Sequence, residues 1–422
     1  MKMNRFKLKE IANIVNGATP SSLNVENYGG NIVWITPNDL SKQKKKYIYI
    51  GERNITEIGY NSCSTKLLPV DSILLSSRAP IGLIAINKVE CCTNQGFKNL
   101  VINKEKCNVE FLYYYLKYHI KEIEKLGSGT TFKEVSKGLL EDYEVLLPLM
   151  DLQNKISKVL SNIDNKIELN NKINSELEAM AKTIYDYWFL QFEFPNEEGK
   201  PYKSSGGKMV WNDELKREIP EGWEVKKLGN YISLIRGVTY SKEDISFQEK
   251  KDFFPLLKSN NIQNGKIIYK DIIYVKKSLI SENQILDKNS VFITMSSGSK
   301  EHMGKTAIIY DDLKYTFGAF CSKIKIQRDL FSFLSIFLTS KIFKNMLNNL
   351  TLGTSINNIN NEYINNIKIV VPNPRILKQF DDKIKKIFEK QGKIIFENQE
   401  LTSLRDFLLP LLMNGQVGFK EE

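Results

Sequence analysis

An internal duplication constrains the fold of this chain more than any other feature of its sequence. Gly17 recurs as Gly237 at a spacing of 220 residues, and Gly82 recurs as Gly304 at a spacing of 222. Other positions repeat at spacings between 220 and 224, namely Ser76-Ser77 with Ser296-Ser297, Phe111 with Phe333, Gly129 with Gly353, and Pro148 with Pro372. The two halves are dissimilar between these points. The sequence therefore predicts two domains that share one framework and present different surfaces.

Charge and composition limit the class of protein and of partner. The 422 residues suffice for two or three domains, and their net charge of +11 favours an anionic partner, nucleic acid before a membrane surface. The charged N-terminus is unlike a signal peptide, and no apolar run approaches the ~18 residues of a membrane span. The 5 cysteines lack the spacing of a metal site or a disulfide framework. We therefore expect a cytoplasmic protein.

Each half begins with short segments that alternate apolar and polar residues, as β strands do. These segments are Ile32–Ile35, Tyr47–Ile50, Ser72–Leu75 and Leu83–Ile86 in the first half, and Phe254–Leu257, Lys266–Tyr269, Ile272–Val275, Val291–Met295 and Thr306–Tyr310 in the second. One helix follows in each half, over Val109–Leu126 and Leu330–Leu350. The pattern predicts two α+β domains of about 150 residues each.

A heptad pattern follows each domain and predicts two long helices. Steps of four and three residues separate its positions, which is typical of a two-helix coiled coil. The residues expected to pair the helices are Leu152, Ile156, Val159, Ile163, Asn170, Ile173, Leu177, Met180 and Ile184 in the first helix, and Leu377, Phe380, Ile384, Ile387, Ile394, Asn398, Leu401 and Leu408 in the second. Each helix would span ~54 Å, more than one such domain covers. We expect a long antiparallel pair; packing of each helix on its own domain is the alternative.

The segment 191–222, between the halves, is rich in glycine, proline and serine and predicts a connector. Four large aromatic residues lie just before and after its start, namely Trp188, Phe189, Phe192 and Phe194. Aromatic side chains bury a large area when they pack. We therefore expect the connector to pack on the helices.

The sequence lacks the motifs of common nucleotide-dependent and DNA-modifying enzymes. No glycine-rich loop has the dinucleotide-binding or phosphate-loop spacing. No Pro-Pro pair is present for the loop with which an adenine or cytosine methyltransferase holds a flipped base. The two histidines, His119 and His302, lie one in each half and form no base–nucleophile constellation. This pattern favours a binding protein without a catalytic site, metal or cofactor.

Side chains that carry a positive charge, a hydroxyl or an amide in loops are the candidates for contact with nucleic acid, because they donate hydrogen bonds to phosphates and base edges. They are Asn38, Lys42, Lys44, Lys45, Lys46, Ser76, Ser77 and Arg78 in the first half, and Lys258, Asn260, Asn261, Ser296, Ser297 and Lys300 in the second. A solvated turn is an equally good interpretation of the basic run 42–46. The stretch 94–97 matches 316–319, where a core or turn role competes with contact.

These features together resemble the DNA-specificity subunit of type I restriction–modification systems. The resemblance covers nearly the whole chain and is most specific in the connector, over 202–210 and 218–223. Leu147-Pro148 and the stretch 407–415 are similar to the helical regions of that family. The second proline region, 371–374, is less typical.

The resemblance implies a subunit with no catalytic activity of its own. In that family each target-recognition domain reads one half of a split, asymmetric DNA sequence, and two antiparallel helices set the length of the unread spacer. Two methyltransferase subunits dock on the helices and methylate adenine with S-adenosylmethionine, and restriction subunits can join them. A recognition subunit of another DNA-modification enzyme, and a coiled-coil scaffold that binds acidic proteins, are the alternatives.

The resemblance also implies a division of the chain into five segments with pseudo-twofold symmetry. These are a first target-recognition domain (1–150), a central helix (151–190), a connector (191–222), a second target-recognition domain (223–374) and a C-terminal helix (375–414). The fold class expected is thus α+β, with two similar domains separated by a long antiparallel two-helix coiled coil.

Overall fold

The computed structural model describes residues 2–43, 45–128, 133–298, 302–350 and 358–419. They form two compact units, Met1–Leu169 with Asn398–Glu422, and Asn170–Glu397. Each unit combines β sheets with helices, so the predicted α+β class is confirmed. Both long helices contribute one part to each unit, whereas the five predicted segments keep each helix whole; that division stays a prediction.

The first unit is built on a five-stranded and a three-stranded sheet. Its strands are β1 Asn4–Lys7, β2 Ala12–Asn16, β3 Tyr28–Ile35, β4 Tyr47–Ile48, β5 Arg53–Ile55, β6 Ile73–Ser76, β7 Ile84–Asn87, β8 Cys92–Thr93, β9 Phe97–Ile102 and β10 Glu144–Leu147. Its helices are α1 Leu8–Ile11, α2 Pro37–Gln43, α3 Glu57–Asn61, α4 Val109–Tyr118, α5 Ile120–Lys125 and α6 Lys137–Glu141, and the long helix α7 Met150–Tyr185 begins here. The sheet orders are β2-β9-β6-β7-β4 and β5-β3-β8, and β1 pairs with β10.

The second unit contains two four-stranded sheets. Its strands are β11 Met209–Asn212, β12 Arg217–Pro220, β13 Glu224–Lys227, β14 Ile232–Arg236, β15 Ile245–Ser246, β16 Phe253–Leu257, β17 Ile262–Gln263, β18 Lys266–Ile267, β19 Ile273–Lys276, β20 Ser290–Thr294, β21 Thr306–Ile309, β22 Thr316–Phe317, β23 Cys321–Ile326 and β24 Lys368–Val371. Its helices are α8 Phe331–Thr339, α9 Lys341–Leu350, α10 Asn361–Asn365 and the start of the long helix α11 Pro374–Met413. The sheet orders are β14-β23-β20-β21 and β15-β19-β16-β22.

The two units repeat one pattern of strand pairing, so the predicted duplication is confirmed. The order β2-β9-β6-β7 recurs as β14-β23-β20-β21, and the parallel pair β3–β8 recurs as β16–β22. Gly17 and Gly237 lie at the same chain crossing. A Cβ at Gly17 would lie 2.0 Å from the carbonyl oxygen of Asn94, and a Cβ at Gly237 would lie 2.3 Å from that of Gly318. Both copies need glycine because the backbones approach too closely for any side chain.

The structure corrects the two predicted domain helices, which are each broken into two. The helix over Val109–Leu126 is interrupted at His119, and the helix over Leu330–Leu350 at Ser340, where the backbone is extended. The two helices of the second break meet at 65°. The first helix of that pair is buried nearly all round, and the bend lets the next one reach the surface. No single described helix is long and apolar enough to cross a membrane. The two helices of the bent pair reach that length and apolar composition only when they are counted together.

The long helices pair in antiparallel fashion, as predicted. In the second unit, Asn170 Nδ2 donates a hydrogen bond to Glu397 Oε2 at 2.8 Å, and Gln391 Nε2 donates to the backbone oxygen of Asn174 at 3.4 Å. The partner's number falls as the residue number rises, which defines the antiparallel direction. Asn170 and Gln391 are nearly fully buried, and buried polar residues of this kind fix the register of paired helices.

Most of the predicted pairing residues are at least partly buried, but the seam shifts near the end of α7. The buried ones are Ile156, Ile163, Asn170, Phe380, Ile384, Ile387 and Ile394, and the partly buried ones are Leu152, Val159, Ile173, Leu177, Ile184, Leu377, Asn398, Leu401 and Leu408. Met180 is 54% exposed, whereas the adjacent Ala181 is buried with Tyr185 in the core of the second unit. A heptad stripe drifts by ~20° per repeat on a straight helix, and here α7 packs on the adjacent domain.

The connector packs against the core of the second unit, and not on the helices alone as the sequence predicts. It contains the hairpin β11–β12. The ring of Phe194 stacks on that of Trp223 with 4.8 Å between centroids, and the ring of Phe192 meets Trp223 edge-on at 5.7 Å. All three belong to the large apolar core of that unit. The connector is therefore an integral part of the second unit.

Candidate nucleic-acid interface

Each unit has a corner, which we call the strand-end corner, where a central strand ends and two other segments are hydrogen-bonded to it. In the first unit the Ser77 amide donates to the carbonyl oxygen of Gly96 at 2.7 Å, and the Val135 amide donates to that of Ser77 at 3.0 Å. In the second unit Met295 holds the same place. Its amide donates to the carbonyl oxygen of Phe320 at 2.8 Å, and its carbonyl oxygen accepts from the Ile359 amide at 2.8 Å. The corner is therefore part of the shared framework.

These hydrogen bonds correct the residue match made from the sequence. Ser77 is equivalent to Met295, so the pair Ser76-Ser77 does not correspond to Ser296-Ser297, which lies two residues further along. Gly96 is equivalent to Phe320, so the stretch beginning at 94 matches at a spacing of 224 instead of 222. Because the loops after β6 and β20 differ in length, the two Ser-Ser pairs lie at a spacing of 220 residues without being structurally equivalent.

The hydroxyl groups of Ser76 and Ser77 are buried within the first corner. Ser76 Oγ donates to the carbonyl oxygen of Pro80 at 2.7 Å and accepts from the Leu83 amide at 2.8 Å. Ser77 Oγ donates to the carbonyl oxygen of Gly96 at 3.2 Å. Both hydroxyls hold the loop in shape, and a direct contact with DNA would require the loop to open. Their contact with DNA stays a prediction.

Arg78 is the partly exposed cation of the first corner. Its Nη1 lies 3.6 Å from Glu134 Oε2, and the other oxygen of this carboxylate lies 3.0 Å from Lys98 Nζ. The Lys98 side chain is 10% exposed and that of Arg78 is 36% exposed. Because two cations share one carboxylate, these three side chains carry a net positive charge. Arg78 can therefore turn towards a phosphate or a base edge while Glu134 keeps Lys98 as its partner.

The predicted basic run does not form one strip of charge. Lys42 Nζ lies 2.8 Å from Glu52 Oε2, and Lys45 Nζ lies 3.3 Å from Glu168 Oε1. Both lysine side chains are 59% exposed, and ion pairs of this kind contribute only ~0–1 kcal/mol. Each can exchange its carboxylate for a phosphate at little cost. Lys44 lies outside the described residues.

Lys46, by contrast, is buried between the first domain and α7. Its Nζ donates to Ser161 Oγ at 2.7 Å and to the Tyr114 hydroxyl at 3.3 Å, and lies 3.3 Å from Glu110 Oε2. Burial lowers the pKa of Lys46, and the negative charge of Glu110 only partly opposes this shift. In this position Lys46 attaches the domain to the long helix and does not face solvent.

The asparagines predicted in each half lie at one equivalent turn. Asp39 accepts a hydrogen bond from the amide three residues earlier at 2.7 Å, and Asn261 accepts one from the Lys258 amide at 2.8 Å. Asn261 is buried, and its Nδ2 donates to two backbone carbonyls at 2.7 and 2.9 Å. The preceding residues, Asn38 and Asn260, are exposed. They are the amides at this turn that can reach a ligand.

The second corner carries two partly buried serines and an aromatic residue that sequence reasoning missed. The Ser296 amide donates to the carbonyl oxygen of Phe320 at 3.1 Å, and Ser297 follows it; Lys300 lies outside the described residues. The Phe320 side chain is 67% exposed, and Arg236 Nε donates to the carbonyl oxygen of Ala319 at 2.9 Å. A match at the correct spacing of 224 would have aligned Phe320 with Gly96 and drawn attention to it.

The described residues offer binding groups and no assembled metal site. Among them, no three His, Cys, Asp or Glu side chains converge to hold a metal ion. Burial raises the pKa of the Cys107 and Cys321 thiols to about 12, which keeps both thiols protonated and unreactive. The described residues of the corners and the adjoining turns present positive charge, amides and the exposed ring of Phe320.

Both halves match known proteins of one family. The sequence model of the type I restriction modification DNA specificity domain matches residues 1–179 and again 220–405. The chain is 34% identical over 427 residues to the specificity subunit of the type I restriction enzyme MjaIX of Methanocaldococcus jannaschii, across 98% of this chain and 93% of that protein. It is 35% identical over 208 residues to the EcoKI specificity subunit of Escherichia coli, across 48% and 45% of the two chains.

The fold is also similar to that of a solved structure. The type I restriction–modification S subunit from M. genitalium superposes with a TM-score of 0.60 at 16% sequence identity, covering 100% of this chain and 97% of that chain. The repeated strand order and the long helices are thus those of a known fold. Because the family model matches most of the chain and a curated subunit is similar along nearly its whole length, this chain belongs to the family of type I restriction–modification DNA specificity subunits.

Proposed function

We propose that this chain is the DNA-reading subunit of a type I restriction–modification complex and that its two domains read the two halves of a split, asymmetric DNA site. The observation that carries the proposal is a shared framework with different side chains at equivalent places. Gly17 and Gly237 occupy the same crossing, whereas the corners differ at Gly96 and Phe320. A pair of domains that read one sequence twice would need identical corners, so unlike corners favour an asymmetric site.

Electrostatics supports a DNA ligand. The chain carries a net charge of +11, and Lys42, Lys45 and Arg78 hold their carboxylate partners at partly exposed sites. A phosphate can take the place of each carboxylate, and the release of counterions from DNA then makes binding depend steeply on salt. Phosphate contacts of this kind orient the protein, while base contacts supply the sequence preference.

The lengths of the long helices support a role in setting the spacer. Helix α7 has 36 residues and α11 has 40, which correspond to ~54 and ~60 Å of straight helix. Half-sites one turn apart on B-DNA are separated by ~34 Å. Paired helices of this length are sufficient to hold two readers at that distance.

Chemistry belongs to the partners in this proposal. Two methyltransferase subunits would dock on the helical region and transfer a methyl group from S-adenosylmethionine to adenine in each half-site. Restriction subunits would add cleavage where they are present. This chain would supply only the choice of site, and it would act in the cytoplasm, where the chromosome is accessible.

Binding selection from random DNA tests the proposal. The chain, assembled with its methyltransferase partner, is mixed with a random duplex library at moderate salt, and bound DNA is sequenced. We expect one motif with two different halves separated by a fixed number of unspecified base pairs. The methyltransferase partner alone is the control and should select no such motif. A complex that selects no motif, or a single contiguous one, would contradict the proposal.

A further inference from the structure

Phe320 combines a fixed backbone with an exposed side chain. Its carbonyl oxygen accepts hydrogen bonds from the amides of Met295 at 2.8 Å and Ser296 at 3.1 Å. The amide of the preceding residue, Ala319, donates to the carbonyl oxygen of Val238 at 3.0 Å. The following residue, Cys321, is fully buried. The hydrogen bonds on both sides therefore fix the direction in which the Phe320 side chain leaves the corner.

The position of this ring matters more than its exposure. Single exposed apolar side chains are common on protein surfaces, and 67% exposure of one phenylalanine would mean little elsewhere. At the equivalent position in the first unit stands Gly96, where a Cβ would lie 3.0 Å from the ring of Pro37 and 3.0 Å from Asn94 Oδ1. A side chain in the first corner would therefore press against Pro37 and Asn94 at the point where the second corner projects a ring.

Polar groups bonded to the backbone at Phe320 give the corner the chemistry of a base reader. Arg236 is exposed, and its Nε donates to the carbonyl oxygen of Ala319, the residue before Phe320, at 2.9 Å. The Ser296 amide donates to the carbonyl oxygen of Phe320 itself at 3.1 Å. Arginine and serine recognise acceptors on base edges in the major groove, and an apolar side chain such as phenylalanine recognises the 5-methyl group of thymine. One corner here offers both kinds of group.

We propose that Phe320 contacts the 5-methyl group of a thymine in the half-site read by the second unit and so helps to determine its sequence. This assignment rests on the proposed function and deepens it. It also explains why the two corners differ at this position, since Gly96 leaves the first unit without an apolar contact there. The first half-site should accordingly carry no thymine whose methyl group depends on this position.

A thermodynamic cycle between protein and DNA tests the assignment. The complex of wild-type chain with its methyltransferase partner is bound to the selected DNA, and each thymine is replaced in turn by uracil, which lacks only the methyl group. We expect one position in one half-site where wild-type binding falls about three- to five-fold, the effect of one methyl group left in water. Phe320→Ala should bind the thymine site about as weakly as wild type binds the uracil site, with no further loss at that position.

Two further variants make the result specific. Phe320→Leu keeps an apolar side chain and should retain most of the preference for thymine. Phe247→Ala removes a ring that is 79% exposed elsewhere in the same unit and should leave all positions unchanged. The assignment is overturned if Phe320→Ala responds to every uracil as wild type does, or if no thymine matters to wild type. A wild-type complex without any sequence preference would instead contradict the proposed function, and this assignment with it.

Discussion

Asp164 and Arg405 join the two long helices inside the first unit, with 3.0 Å between Asp164 Oδ1 and Arg405 Nη1. The other carboxylate oxygen of Asp164 accepts a hydrogen bond from the Tyr114 hydroxyl at 2.7 Å, so one side chain connects both helices to the first domain. The Asp164 and Arg405 side chains are only 14% and 22% exposed. The charged pair therefore sits where water screens it weakly.

The equivalent place in the second unit is aromatic. There Phe388 lies on α11 and packs edge-on against the rings of Tyr310 and Phe331, with centroid distances of 5.6 and 5.9 Å. At this place the first domain contacts its helix through charge and hydrogen bonds and the second domain through ring packing, while Ser332 also donates to Asp381 of α11 elsewhere in the second unit. The Asp164 contact and the Phe388 contact should respond differently to salt and pH.

Loss of the Arg405 side chain should destabilise the first unit. We expect Arg405→Leu to lower the free energy of unfolding by about 1–3 kcal/mol, because hydrogen bonds to charged groups contribute this much and Asp164 keeps only its other partner. Arg375→Leu is the matched control, since Arg375 lies on the same helix and pairs with Glu197 at an exposed site; it should cost less than about 1 kcal/mol. Urea unfolding measures both, and equal effects would contradict the account.

The glycines at the repeated crossing should tolerate no side chain. Gly17→Ala and Gly237→Ala each place a Cβ within 2.3 Å of a backbone oxygen, and we expect a loss of about 2 kcal/mol or more from the strain. Gly138→Ala has nothing within 4 Å of its Cβ and lies in helix α6, where alanine should add about 0.5–1 kcal/mol. Thermal unfolding compares the stability of the three variants with that of wild type. Unchanged stability of Gly17→Ala or Gly237→Ala would show that the backbones at that crossing can separate, and would contradict the prediction.

Acid should weaken the attachment of the first domain. Burial alone would raise the pKa of Glu110, but hydrogen bonds from Ser161 and Tyr47 and the charge of Lys46 outweigh it, so the pKa lies below its ordinary value of 4.5. The ionised carboxylate therefore stabilises the fold above pH 4.5, and this contribution is lost as the pH falls through the lower folded-state pKa.

Glu110→Gln should remove that part of the acid sensitivity. The variant should be less stable than wild type at neutral pH and should lose less stability between neutral pH and the acid limb of the curve. The exposed Glu105 supplies the control, since Glu105→Gln should follow the wild-type pH curve. Denaturant unfolding over a pH series measures the free energy of unfolding of all three proteins. Identical pH dependence for Glu110→Gln and wild type would refute the role of this carboxylate.

Arg78 should act on one half-site only. If it contacts a base, Arg78→Ala should cost about 1–3 kcal/mol of binding and relax specificity at one position, and if it contacts a phosphate it should weaken binding uniformly and lower the salt slope by about 1. Arg236→Ala is the counterpart in the second corner and should affect the other half-site. Binding selection with the assembled complex reads both outcomes. Equal effects of Arg78→Ala on both half-sites would contradict the division of labour.

Shortening the paired helices should shorten the spacer. Removal of one heptad from each helix, around Asn170 and its partner Glu397, keeps the pairing register and takes away ~10 Å of helix. At 3.4 Å per base pair this corresponds to about three base pairs. Binding selection should then return the same two half-sites with a shorter gap. An unchanged gap would exclude the helices as the element that sets it.

The sequence predicts the parts of this fold that repeat or follow a period. Gly17 and Gly237 can be predicted because the close approach of the backbones allows only glycine at these positions. Helices α7 and α11 can be predicted because their pairing requires apolar residues at regular heptad spacing. The partners of Lys45 and Lys46 could not be predicted, since Glu168 and Glu110 are distant in sequence and are brought near by tertiary packing.

The errors have local causes. The two identical serine pairs were matched although a difference in loop length had moved them out of register, and the same two-residue error hid Phe320. His119 breaks a helix without any glycine or proline to signal it. Local pattern therefore located the elements, while the loops that would carry specificity needed three-dimensional contacts.

Mapping of methylated adenines tests the central claim most directly. The chain is expressed with its methyltransferase partner in a host that lacks adenine methylation, and the genome is sequenced for N6-methyladenine, with the partner alone as control. The account predicts methylation at one split, asymmetric motif, on one adenine in each half, only when this chain is present. Methylation that is absent, that is independent of this chain, or that falls on a contiguous motif would contradict it.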